Sequence, residues 1–144
     1  MSRAVLNIKR IYILMRKALD EKLSDYNFTT SQFEILGYLY NTESMEQQKL
    51  QHCTGITPAT LTGLLEKLEK RRYITRRESV DDARANIVTL TSIGHEVFTE
   101  LIDVMHQFEN DMLNKFSGAE RALFADWLQR IATNLGDTEY GHCD

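Results

Sequence analysis

One proline in 144 residues, Pro58, and only seven glycines leave this chain few places where a helix must stop. Proline lacks the backbone donor and clashes with the preceding turn, and glycine raises the entropy cost of a helix interior, so their scarcity predicts long helices. The breaks that exist are closely spaced. Gly55 interrupts the chain, and Thr57 with Pro58 restarts it as an N-cap followed by a proline at the first helical position, where the missing N–H costs nothing. A short helix over 47–53, a turn over 54–56 and a second helix over 57–71 give the order of a helix-turn-helix.

Periodicity fills in the rest. Over 5–23, Leu6, Ile8, Ile11, Tyr12, Met15, Ala18, Leu19 and Leu23 make an apolar face wider than a surface helix needs. Thr29 and Gln32 form a capping box, opening a helix with Phe33, Leu36, Gly37 and Tyr40 on one side, and Ser44 with Gln47 repeats the pattern before the short helix. Segments 73–78 and 86–90 are rich in β-branched and aromatic residues and flank the polar stretch 79–85, which predicts an antiparallel hairpin with a long tip. Thr91 caps a fifth helix reaching residue 115, with Ile93, Val97, Leu101, Val104, Phe108 and Met112 at helical spacing. Ser117 and Glu120 form a further capping box for a sixth, carrying Leu123, Trp127, Leu128 and Ile131 and stopping at Gly136.

The expected fold class is mainly α with a small β-hairpin wing. A single domain spans 1–144: a winged helix-turn-helix lobe over 29–91, a helical dimerisation region from 1–24 and 92–136, and a frayed tail over 137–144. The first, fifth and sixth helices carry more apolar surface than one small domain can cover, which points to a homodimer.

Charge is unevenly placed. The net charge is −4, yet residues 66–77 hold six basic groups against two acidic ones, whereas 85–144 hold three against ten. An acidic body with a concentrated basic patch is compatible with nucleic-acid binding, because binding depends on where the charge sits. The longest stretch free of Lys, Arg, Asp and Glu is 50–65, interrupted by Gln, His, Thr, Gly and Pro, so no membrane span is expected. The start shows no signal-peptide pattern, and two cysteines ninety positions apart are too few for a disulfide scaffold. The chain reads as cytoplasmic.

Two clusters carry candidate chemistry. At the start of the 57–71 helix, Thr57, Ala59, Thr60, Thr62 and Gly63 are small enough for close approach to a major groove. Threonine hydroxyls bond bases or phosphate, and Thr and Ala methyls suit the thymine methyl. Lys67, Lys70 and Arg71 follow as phosphate neutralisers. An ordinary capped helix with small residues at its start explains the same pattern. At the hairpin, Arg76 and Arg77 precede Asp82 and Arg84; an aspartate two positions before an arginine can hold the guanidinium for a narrow minor groove. A surface ion pair worth roughly 0–1 kcal/mol is the bland alternative.

Together these segments closely resemble the multiple antibiotic resistance regulator (MarR) family of winged-helix repressors. The resemblance covers about 5–135 and rests on the Thr29–Leu36 run, Ile56 through Leu68, Tyr73 through Arg77, and most specifically Asp82-Ala83-Arg84 continuing to Thr91 and Gly94. It implies an obligate homodimer on a pseudo-palindromic operator in double-stranded DNA. The helix from Thr57 would read the major groove, with Arg84 in the minor groove. Three departures stand out. Gly63 replaces a larger, often basic side chain, Arg72 replaces the usual glycine after the recognition helix, and Val80 stands where proline or a polar residue is common.

The family also implies a small aromatic or lipophilic effector at the junction of lobe and dimer helices, acting by population shift. Tyr12, Tyr26, Phe28, Phe33 and Tyr38 are candidate walls, each equally explicable as core or interface. Thiol sensing in part of the family uses a first-helix cysteine, which this chain lacks. Cys53 reads as a small core residue and Cys143 as a tail thiol, and no redox switch is expected. His52, His95, His106 and His142 share no ligand-like spacing, although Asp103 with His106 makes a partial site. Neither a metal nor any other cofactor is expected, and no catalytic residues, since His52 and Cys53 are helix neighbours pointing about 100° apart. The rival reading is a winged-helix module that binds protein and lacks sequence-specific DNA binding.

Overall fold

In a computed structural model, residues 1–82, 85–138 and 143 are described. Six helices and three strands follow in the order α1 (Arg3–Ser24), α2 (Thr30–Thr42), β1 (Ser44–Glu46), α3 (Gln47–Thr54), α4 (Pro58–Lys70), β2 (Ile74–Glu78), β3 (Asn86–Leu90), α5 (Ser92–Met112) and α6 (Gly118–Asn134). The fold is mainly helical, with a small antiparallel sheet in the order β1-β3-β2.

Local chemistry sets most boundaries. Thr29 and Gln32 satisfy each other's backbone amides at 3.2 and 3.0 Å, and Ser117 and Glu120 do the same ahead of α6. Gly55 ends α3 in the left-handed region, at φ 67°. Ser44 departs from the expected capping box. The segment 44–46 is a strand paired with β3, Ser44 Oγ lies 2.9 Å from Thr89 Oγ1, and Glu46 stands at the N-cap of α3 with no side-chain cap bond. Pairing with β3 holds the segment extended along the sheet edge, which a capping geometry at Ser44 does not allow.

The core lies inside the winged lobe. Leu36 and Leu39 of α2, Leu50 of α3, Leu61, Leu65 and Leu68 of α4, Ile74 and Val88 of the sheet and Leu101 of α5 are all fully or almost fully buried. Thr91 fastens the hairpin to α5: its hydroxyl donates to the carbonyls of Arg72 and Tyr73 and accepts from the Gly94 amide at 3.0 Å. Gly94 is required there, because a Cβ would overlap the Tyr73 carbonyl.

Outside the lobe, Leu19 and Leu23 of α1 and Phe98 and Phe108 of α5 join the core, but the first half of α1 and the whole of α6 turn apolar side chains outward. Val5, Leu6, Ile8, Ile11, Ile13 and Leu14 of α1 are exposed, as are Leu123, Trp127, Leu128 and Ile131 of α6, which has no buried residue at all. The cysteines correct the sequence reading. Cys53 and Cys143 are bonded to each other, with Cα atoms 5.7 Å apart, and Cys143 is buried. Cys143 lies against the last turn of α3, pairing two thiols that local sequence could not pair.

Candidate nucleic-acid interface

The helix α4 has two faces. Leu61, Leu65 and Leu68 anchor it in the core, which turns Ala59, Thr60, Lys67 and Lys70 outward to solvent together with Thr57 and Pro58. Gly63 lies on the outward side, and a Cβ there would meet no atom within 4 Å, so the helix surface is open at its middle. Glu66, which sequence reasoning passed over, shares this exposed face; a carboxylate there can accept from a cytosine amino group.

Hydroxyl partners differ along the helix. Thr57 occupies the N-cap but makes no cap bond; its Oγ1 lies 3.0 Å from Thr60 Oγ1. The pair spends one O–H between them and keeps the other for an outside acceptor. The first-turn amides, left uncapped by a side chain, add donors at the positive end of the helix dipole. Thr62 is turned inward, donating to the Pro58 carbonyl at 3.0 Å and accepting from Gln47 Nε2 at 3.5 Å. Gln47 was not read as part of the site. Its side-chain oxygen is buried with no hydrogen-bond partner among the described residues, and only the packing of α3 on α4 reveals it.

The basic cluster separates into different roles. Arg77 is exposed on β2, beside the base of the hairpin. Arg76 is held inward: its guanidinium donates to Glu69 Oε1 at 3.1 Å, and its backbone amide donates to Glu69 Oε2 at 3.1 Å. With 22% of its side chain exposed, it braces the wing against the end of α4. The hydrogen bond from Arg76 is the main cause holding the Glu69 carboxyl below its ordinary pKa. Arg71 is engaged as well, donating to the Asn27 carbonyl and lying 4.3 Å above the Phe28 ring and 4.9 Å above that of Tyr73. Asp82 is exposed at the hairpin tip, its carbonyl accepting from the Ala85 amide at 3.0 Å. Arg84 lies outside the described residues. Val80 is exposed, and Arg72 takes a left-handed conformation at φ 64°.

The five aromatic effector candidates have different surroundings. Phe28 is buried against Tyr73, Phe33 stacks on Phe98 with ring centres 5.0 Å apart, and the Tyr38 hydroxyl donates to the Cys53 carbonyl. Tyr12 and Tyr26 are 55% and 45% exposed. An open, largely apolar groove of about 420 Å³ lies instead between α1 and α5, lined by residues including Ile11, Met15, Ala18, Phe108 and Met112. No helix among the described residues is long and apolar enough to cross a membrane.

Comparison with known proteins matches residues 28–85 to the MarR family. The chain is 32% identical over 109 residues to the uncharacterized HTH-type transcriptional regulator YdgJ of Bacillus subtilis, covering 76% of this chain and 66% of that protein. Among solved structures, BpsR of Bordetella bronchiseptica, whose DNA binding is regulated by 6-hydroxynicotinic acid, superposes with a TM-score of 0.82 at 22% identity, over 91% of this chain and 99% of BpsR. MepR of S. aureus in complex with DNA superposes with a TM-score of 0.80 at 23% identity, over 93% and 98% of the two chains.

Proposed function

This chain belongs to the MarR family, and from that premise we propose that it is a homodimeric, sequence-specific DNA-binding repressor whose operator affinity is modulated by a small-molecule effector. The observation that carries the reading is the outward face of α4. Small residues at its start allow approach to base edges, an uncapped helix terminus offers amides to phosphate, and Lys67 and Lys70 extend the positive surface. Arg77 and Asp82 place the wing beside it, with Arg84 proposed for the minor groove.

Dimerisation follows from the apolar surface left on α1 and α6. A monomer exposing Leu6, Ile13, Leu14, Trp127, Leu128 and Ile131 together leaves a patch of the kind that marks an interface. A second copy of the same surface covers it with two-fold symmetry and sets two α4 helices against successive major grooves, roughly one helical turn apart. The α1–α5 groove supports an aromatic or lipophilic effector better than the scattered aromatic side chains do. A ligand there lowers operator affinity by its preference for one lobe spacing over the other. Such a protein works in the cytoplasm, beside the DNA.

Titration of the purified protein against DNA from upstream of its own gene, with random duplex of equal length as control, tests the reading. Tight binding with two chains per site that beats the control is expected. Equal, weak and steeply salt-dependent binding to both duplexes overturns it in favour of a bare basic patch or a protein-binding module.

A further inference from the structure

Gln47 opens α3 and meets α4 at Thr62. The Thr62 hydroxyl commits its proton to the Pro58 carbonyl at 3.0 Å, so toward Gln47 its oxygen can only accept. The Gln47 amide nitrogen faces that oxygen at 3.5 Å, the long end of a hydrogen bond. The other end of the carboxamide, Oε1, is buried with no partner among the described residues. A buried acceptor in that position has given up its bond to water and gained none in return. One weak bond therefore holds the side chain in the seam between α3 and α4, against the cost of a desolvated oxygen.

The middle of α4 lacks a polar reader of its own. Thr62 has spent its proton, Gly63 carries no side chain, and Leu61, Leu64 and Leu65 are apolar. Beside Thr62 the helix surface is open, since a Cβ on Gly63 would meet no atom within 4 Å, and Ala59, one turn earlier, adds only a methyl group. An unspent carboxamide thus lies next to an empty stretch of the outward face. We propose that Gln47 is a specificity-determining residue, whose carboxamide leaves the α3–α4 seam on DNA, crosses the space beside Gly63 and pairs with an adenine in the major groove.

The chemistry selects the base. A carboxamide sets one acceptor beside one donor, so Oε1 accepts from the adenine N6 amino group while Nε2 donates to N7. The exchange trades one long bond and an unpaired oxygen for two bonds, and Thr62 keeps its bond to Pro58 throughout. The proposal rests on the reading of α4 as the helix that enters the major groove.

The test takes the duplex bound best in the titration above, places each base in turn at every position of it, and measures the parent, Gln47→Ala and Gln47→Glu. Expected is one position in each half-site where the parent prefers adenine by about tenfold. Gln47→Ala flattens the preference at that position alone. Gln47→Glu shifts it toward cytosine, whose amino group a carboxylate accepts from. A Gln47 that only packs α3 on α4 instead weakens every duplex by the same factor in Gln47→Ala. That result, or a base preference that Gln47→Ala leaves in place, overturns the proposal. The free protein supplies a second check. Gln47→Met keeps the length of the side chain and removes the unpaired oxygen, so its urea midpoint should equal or exceed the parent's. A lower midpoint means that the carboxamide is satisfied where it lies, and overturns the proposal from the protein side. A parent that fails to distinguish any duplex from random DNA overturns the DNA reading itself and this proposal with it.

Discussion

Thr30 is almost fully buried with two donors to satisfy, its amide and its hydroxyl, and both reach Asp20 Oδ1 at 2.7 Å. The hydroxyl bond is the main influence holding the Asp20 carboxyl below its ordinary pKa. A lowered folded pKa means the stabilisation is present above the unfolded value and is lost as pH falls through the folded one. Asp20→Ala should therefore cost about 2 kcal/mol near neutrality, measured by urea unfolding, with the gap to the parent closing in acid. Glu34 has the opposite sign: burial raises its pKa despite Arg16 at 3.4 Å, so its contribution is greatest in acid and fades as pH rises. Arg72 illustrates a different residue-scale cost. An L-residue in the left-handed region costs about 1 kcal/mol, and Arg72 sits there at φ 64° with its side chain exposed. Arg72→Gly should raise the melting temperature by roughly 2 °C after allowing for glycine's unfolded-state entropy; a fall would mean that the arginine makes a contact worth more than the strain.

Among elements, the wing and the recognition helix are coupled through Glu69. Its two carboxylate oxygens hold the backbone and the guanidinium of Arg76, so the angle of the hairpin follows the end of α4. Glu69→Gln should lose about 1 kcal/mol of stability at neutral pH and nearly nothing in acid, where the parent carboxylate is itself protonated. Unfolding curves at the two pH values check this, and a pH-independent loss would assign Glu69 a packing role. The elements legible in sequence were those set by local rules: the capping boxes of α2 and α6, the Thr57-Pro58 start, the glycine turn and the two hairpin strands. Those missed depend on distant partners. β1 is a strand only because β3 lies beside it, and the Arg76–Glu69 contact, across seven residues of sequence, is made only through the fold. The outward placement of Thr57, Ala59 and Thr60 was readable from helical periodicity alone.

For the whole molecule, the division between a packed lobe and unpaired apolar helices was visible in the excess of leucine and isoleucine over what one domain can bury. The Cys53–Cys143 bond was not, since no spacing rule links residues 90 positions apart. Surroundings of aromatic side chains were the least legible part: Phe33 and Tyr38 are five residues apart on α2, yet Phe33 stacks on Phe98 and the Tyr38 hydroxyl reaches the Cys53 carbonyl, and the open groove between α1 and α5 is built by residues from two distant helices. In the proposed function, two copies of this chain present paired α4 helices to one face of a duplex. Hydroxyl-radical footprinting on the duplex selected by titration tests it most directly. Two protected patches related by two-fold symmetry, about 10 bp apart between centres, are expected, with two chains bound. A single patch, one chain per site or uniform protection along the duplex would contradict it.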